Sequence, residues 1–133
     1  MNIFERIDSI IKTLNVKYYD TMPSFGENDE PQLYIVYSLY DKADFYGDGK
    51  LIGKEYTVTI NVIGNNVRRV DELQEEVSEI LQNNGFVYGG CSYQVDKDYP
   101  RQYRRIIDFN YLYCDLIAES EENICQIQHQ QLL

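Results

Sequence analysis

Between residues 54 and 63 every second position is apolar: Tyr56, Val58, Ile60 and Val62 alternate with Glu55, Thr57, Thr59 and Asn61. A period of two in β-branched and aromatic residues predicts a strand with one buried and one wetted face. Gly64-Asn65-Asn66 breaks the alternation, and the period then becomes helical. Val70, Leu73, Val77, Ile80 and Leu81 fall on one stripe, predicting a helix over 68–84 with Arg, Asp, Glu and Gln on its other side. Asn66 is placed to cap that helix, and Asp71 and Glu72 bring negative charge toward its positive end. Asn83-Asn84-Gly85 is a stop signal, with Gly85 suited to the left-handed position after the last turn. A strand feeding a helix this directly needs a sheet for the helix to cover.

The same reading extends along the chain. Ile3, Ile7, Ile10, Ile11 and Leu14, widened by Phe4, predict a first helix over 2–14, and Asn15 ends it. Asn2 with Glu5 resembles a capping box. A short extended piece through Tyr18-Tyr19 precedes a loop, PSFGENDEP, over 23–31. The next strand, 32–42 (QLYIVYSLYDK), is apolar on both faces, so it is either central in a sheet or has one face set aside for another subunit. Residues 44–53, with Gly47, Gly49 and Gly53, join it to the 54–63 strand as an antiparallel hairpin whose long, flexible tip spans 43–53. A strand at 86–88 is interrupted by Gly89-Gly90 and resumed over 91–96, and 96–102 is a turn. The last strong strand is 103–113: Ile107, Phe109, Tyr111 and Tyr113 share a face with Arg105, against Arg104, Asp108 and Asn110. The expected fold is α+β, a mixed and mainly antiparallel sheet of about four strands packed by two α-helices, with a long β-hairpin. One domain spans 1–115. Residues 116–133, acidic and then glutamine-rich, form a tail that is mobile or ordered by a partner, with a few helical turns around Leu116, Ile117, Ile124 and Ile127 as the other option.

Composition narrows the classes. A chain of 133 residues suits a single core. No apolar run approaches the roughly 18 residues of a membrane span, and the N-terminus lacks the basic and apolar regions of a signal peptide. Cys91, Cys114 and Cys125 are an odd set without metal-ligand spacing, which favours reduced thiols in a cytoplasmic chain. With 22 acids against 12 bases the net charge is −10, a poor basis for gripping nucleic acid through its phosphates. Thirteen tyrosines lean toward protein–protein contact, since tyrosine joins a large apolar face to a polar tip.

Catalytic and metal signatures are weak. His129 is the sole histidine and lies in the tail, so a nucleophilic triad or Cys–His pair requires that tail to fold back. Cys91 reads as a small buried hydrophobe. Residues 44–55 offer acids at positions 1, 5 and 12 of a calcium-loop frame, but Tyr46 and Ile52 occupy ligand positions and strands flank the stretch. Gly47-x-Gly49 lacks the frame of a phosphate-binding loop. No catalytic, cofactor or metal residue is therefore expected. The arginines at 101, 104 and 105 have two readings: intramolecular pairing with the many carboxylates, or a positive patch docking on an acidic neighbour, which is slightly preferred.

In element order and local texture the chain resembles the tail-completion proteins of long-tailed bacteriophages and prophages: tail terminator, minor capsid or head–tail joining proteins. The resemblance covers residues 1–113 and lies in YIVY, the D…GDG tip, the YTVTINVIG strand, the helix ending NNGF and the tyrosine-led basic strand YRRIIDFNYLY. It implies an α/β subunit of a homohexameric ring that caps the tail tube, offers the surface for the head connector and lets DNA pass through its channel unbound. The implied partners are copies of itself, the tail tube protein and the head completion protein, with no membrane. The implied location is the host cytoplasm during assembly and then the virion tail. The acidic balance suits such a channel, because six copies at −10 each carry about −60 and repel phosphate. Read onto this chain, contacts with neighbours or the tube fall on Asp44, Phe45, Tyr46, Asp48 and Lys50 of the tip, on Arg101, Arg104 and Arg105, and on the 89–102 stretch. The glutamine-rich terminus has no counterpart. Two other classes remain: a monomeric or dimeric regulatory or ligand-binding module, which shares the texture, and a small hydrolase or nuclease, disfavoured by the lone tail histidine and the absence of clustered acids with metal-ligand spacing.

Overall fold

The computed structural model describes residues 3–26, 29–96 and 102–113, with all their side chains but those of 41–43, 45, 50–52 and 113. Helix α1 (Ile3–Ile11) tightens into a 3-10 turn, Lys12–Leu14, which Asn15 ends in the left-handed conformation at φ 54°. Strand β1 (Lys17–Tyr19) is followed by β2 (Leu33–Gly47), β3 (Lys50–Gly64), α2 (Val67–Asn83), β4 (Val87–Asp96) and β5 (Gln102–Tyr113). These build one five-stranded sheet in the order β1-β2-β3-β5-β4, parallel only between β1 and β2. The α+β class is as expected. The fifth strand is the extended piece at Tyr18-Tyr19, which adds to the edge of β2.

Alternation puts the core on one face. Ile35 and Tyr37 of β2, Val58, Ile60 and Val62 of β3, and Ile107 and Phe109 of β5 all point at the helices. Ile3, Ile7, Ile10 and Ile11 of α1 and Val70, Leu73, Val77 and Leu81 of α2 close over them. Each such side chain contributes about 1.5–3 kcal/mol on burial. Polar ties fix the helices on the sheet. The Tyr37 hydroxyl donates to the Asp8 carboxylate at 2.8 Å. Arg6 donates to the Asn84 carbonyl at 3.1 Å, placing a cation at the negative end of α2. Its guanidinium also lies 5.5 Å from the centre of the Tyr111 ring, which stacks on Phe86 at 4.2 Å.

The α2 boundaries follow from its caps. The Asn66 side chain accepts from the N–H groups of Arg68 and Arg69, and Gly85 at φ 90° turns the chain out after Asn84. Asp71 does not serve the helix terminus, since the first turn holds no acid. Its carboxylate takes Arg105 instead.

Two expectations need correction. The hairpin has no long loop. β2 and β3 stay paired to Gly47 and Lys50, with irregularities between Asp41 and Ala43 and between Phe45 and Tyr46. Only Asp48 and Gly49 turn, at φ 53° and 77°, the mirror-image geometry that matches strand twist and that Asp-Gly adopts at little cost. Gly89-Gly90 does not interrupt a strand either: β4 is continuous, with a bulge between Tyr88 and Gly90. Strand β2, apolar on both faces, lies inside the sheet between β1 and β3, and at Tyr34 and Val36 its second face is covered by the chain itself. Tyr34, Val36 and Ile63 pack with Tyr19 and with Phe25 from the 23–31 loop. Glu30 from the same loop accepts from the Tyr34 hydroxyl at 2.8 Å and from Gln102 at 2.9 Å. The expected tail over 116–133 and the Asn2 half of the capping box lie outside the described residues.

Candidate functional site: the projecting hairpin and the arginine strand

The β2–β3 hairpin outruns the sheet. The last pair between β3 and β5 joins Lys54 to Tyr113, so from Asp44 to Gly53 the two strands hold only each other among the described residues. Isolated two-stranded ribbons are marginal in water, so this segment depends on the sheet that extends it. Asp44, Tyr46 and Asp48 are exposed, Tyr46 by 62%. Phe45 and Lys50 belong to the ladder, but their side chains lie outside the described residues. The ladder also disposes of the calcium-loop frame. Asp44 pairs with Lys54 in extended backbone, and about four residues at 3.3 Å each separate it from Asp48, so the acids do not converge on one ion.

The arginines do not form one patch. Arg101 lies outside the described residues. Arg104 and Arg105 are adjacent in a strand and therefore emerge on opposite faces. Arg105 is on the helix side with its side chain 9% exposed, where its Nε donates to Asp71 at 2.9 Å. Its guanidinium lies 4.4 Å from the centre of the Tyr93 ring. That ties β5, α2 and β4 together, so of the two readings of the arginines Arg105 takes the intramolecular one and not docking. Arg104 is half-exposed on the opposite face, beside Tyr34. It pairs with Ile63, so about 12 residues of β3, roughly 40 Å, separate it from the hairpin turn. Arg104 and the hairpin tip thus occupy two ends of the sheet.

Burial and the hydrogen bond to Glu30 push the Tyr34 hydroxyl well above its ordinary range, and burial and Asp8 do the same for Tyr37. Burial also raises the Cys91 thiol, against the pull of Arg105, and Gln74 donates to its sulfur at 3.2 Å. Two open grooves flank α2. One of about 470 Å³ runs between its outer side and Tyr88, and one of about 520 Å³ lies between its first turns, the 14–17 segment and the start of β2. Among the described residues no three His, Cys, Asp or Glu side chains are grouped to hold a metal. No described helix is long and apolar enough to cross a membrane.

Of the 89–102 stretch expected to make contacts, the described part up to residue 96 belongs to the outer strand β4. Tyr88, Tyr93 and Val95 on it are all exposed. VYGGCSYQV, over 87–95, carries neither proline nor charge in an otherwise acidic chain, a property it shares with 32–40 and 56–67. No protein-family model matches the chain, and no curated protein matches its sequence.

Proposed function

We propose that this chain is a structural subunit of the tail-completion apparatus of a long-tailed bacteriophage or prophage. Six copies form a ring that ends the tail tube and offers the face to which the head connector joins. It works in the host cytoplasm during assembly and then in the virion tail. The observation that carries the reading is the hairpin: a two-stranded ribbon, Asp44 to Gly53, held out beyond the sheet with Tyr46 exposed on it. A ribbon whose two strands pair only with each other among the described residues is suited to reach a neighbour or the tube. The net charge of −10 supports it too, since a ring of such subunits repels the phosphates of DNA passing through it. The likeness in element order to the tail-completion proteins supplies the class of assembly.

Two experiments test this. Light scattering after size exclusion, over a range of concentrations, is expected to give a mass climbing toward six subunits, with ring-shaped particles in electron micrographs. Removing the gene from the phage or lysogen that encodes it is expected to give tubes of irregular length and heads without tails. A stable dimer at every concentration, together with normal virions from the deletion, would instead favour a regulatory or ligand-binding module.

A further inference from the structure

Among the described residues the sheet has two open edges, on opposite sides. No described strand lies beyond β4. On the other side β1 pairs only with residues 34–36 of β2, so the outer side of β2 from residue 38 to residue 47 is open as well among the described residues. Open edges are templates for another strand, and folded proteins blunt them with lysine, proline, bulges or short length. On β4 the bulge at Gly89 comes early, and residues 90–95 continue in regular register without proline or charge. Of the eight large apolar side chains exposed among the described residues, five sit on these two strands: Tyr40, Tyr46, Tyr88, Tyr93 and Val95. Aromatic and β-branched side chains of this kind stabilise cross-strand pairs.

We infer that the outer edge of β4 in one copy pairs with the outer edge of β2, residues 38–47, in a second copy, so that the sheet runs on from subunit to subunit. The choice of a second copy as occupant rests on the ring reading above, and three features of the chain favour it. Copies at −10 each repel, and the uncharged stretch over 87–95 is where they approach at least cost. The two edges are similar in length. Their directions also agree, because β4 is antiparallel to β5, β5 to β3 and β3 to β2. Copies facing the same way therefore bring β4 against β2 in antiparallel sense. The interface uses two different surfaces, the head-to-tail arrangement that closes rings. The edges are offset along the strands by about six residues, roughly 20 Å at 3.3 Å per residue, an offset that a closed sheet takes up as strand tilt.

The test blocks each edge separately with lysines at exposed positions of the sheet face away from the helices. One variant carries Ser92→Lys and Gln94→Lys on β4, and the other Ser38→Lys and Tyr40→Lys on β2. Both are expected to keep the thermal midpoint of the parent and to fall to monomer mass. Mixed one to one they retain a single usable interface, and are expected to form a dimer and nothing larger. A β4 variant with the mass of the parent overturns the inference. So does a β2 variant that still dimerises, since β4 would then pair with itself, and so does a parent chain that is monomeric at every concentration. Variants that still assemble into six-subunit rings sink the edge pairing and leave the ring standing. A mixed dimer, with a parent chain that forms no closed ring, sinks the ring and leaves the pairing.

Discussion

The lower and upper halves of the β2–β3 hairpin are one ladder with two fates. Below Asp41 the strands are clamped, with β1 and β5 at their sides and α1 and α2 over one face. Ile35, Val58, Ile60 and Val62 there are fully buried. Above Asp44 the same two strands continue with no neighbour but each other among the described residues. The two strands pair with each other in both halves, so that pairing alone does not set the halves apart. Burial does, at about 25 cal/mol per Å² of apolar surface removed from water. The lower half holds the fold, and the upper half is free to be used.

The comparison breaks most readily from below. Ile60→Ala empties the centre of the clamped half and is expected to cost about 2–5 kcal/mol, read as a lower denaturant midpoint with an unchanged slope. Next is Asp71→Ala, which leaves the buried Arg105 guanidinium without its carboxylate. Because Asp71 is half-exposed and screened, the expected loss is about 1–2 kcal/mol rather than that of a fully buried pair. Tyr37→Phe removes the hydroxyl that ties α1 to the sheet, at about 1 kcal/mol near neutral pH.

The same substitution changes the response to alkali. Tyr34 and Tyr37 ionise in the unfolded chain near pH 10, about the ordinary value, and higher in the folded one. Above that pH the folded state holds protons that the unfolded state has lost. Stability is therefore steady below about pH 10 and falls as pH rises toward the folded values, by up to about 1.4 kcal/mol per pH unit for each tyrosine. Alkaline denaturation of Tyr37→Phe is expected to show about half the slope that the pair contributes. The smallest effect on stability belongs to the upper half. Tyr46→Ser is expected to stay within about 0.5 kcal/mol of the parent while lowering the assembled mass, which sharpens the contrast between the halves.

What was legible in the chain follows the same division. The lower half of β3, α2 and β5 announce themselves because one face of each is buried, and burial imposes a period of two or of 3.6. The upper half is not constrained in this way. Its glycines and mixed polarity read as a loop, yet Asp48-Gly49 alone makes the turn. At Gly89-Gly90 the same ambiguity hid a bulge inside β4. Phe25 and Glu30, which cover and bind Tyr34, lie in a loop whose residues have no period to read. The two arginines differ from these cases. Strand alternation places Arg104 and Arg105 on opposite faces, so neighbours in sequence are not a cluster in space.

The measurement that tests the division most directly replaces residues 44–53 by a two-residue Asn-Gly turn and compares the product with the parent in solution mass and thermal midpoint. The account predicts an unchanged midpoint and a mass that falls from ring size to monomer. Loss of folding would show that the upper half serves the core, and an unchanged ring would show that assembly does not use it.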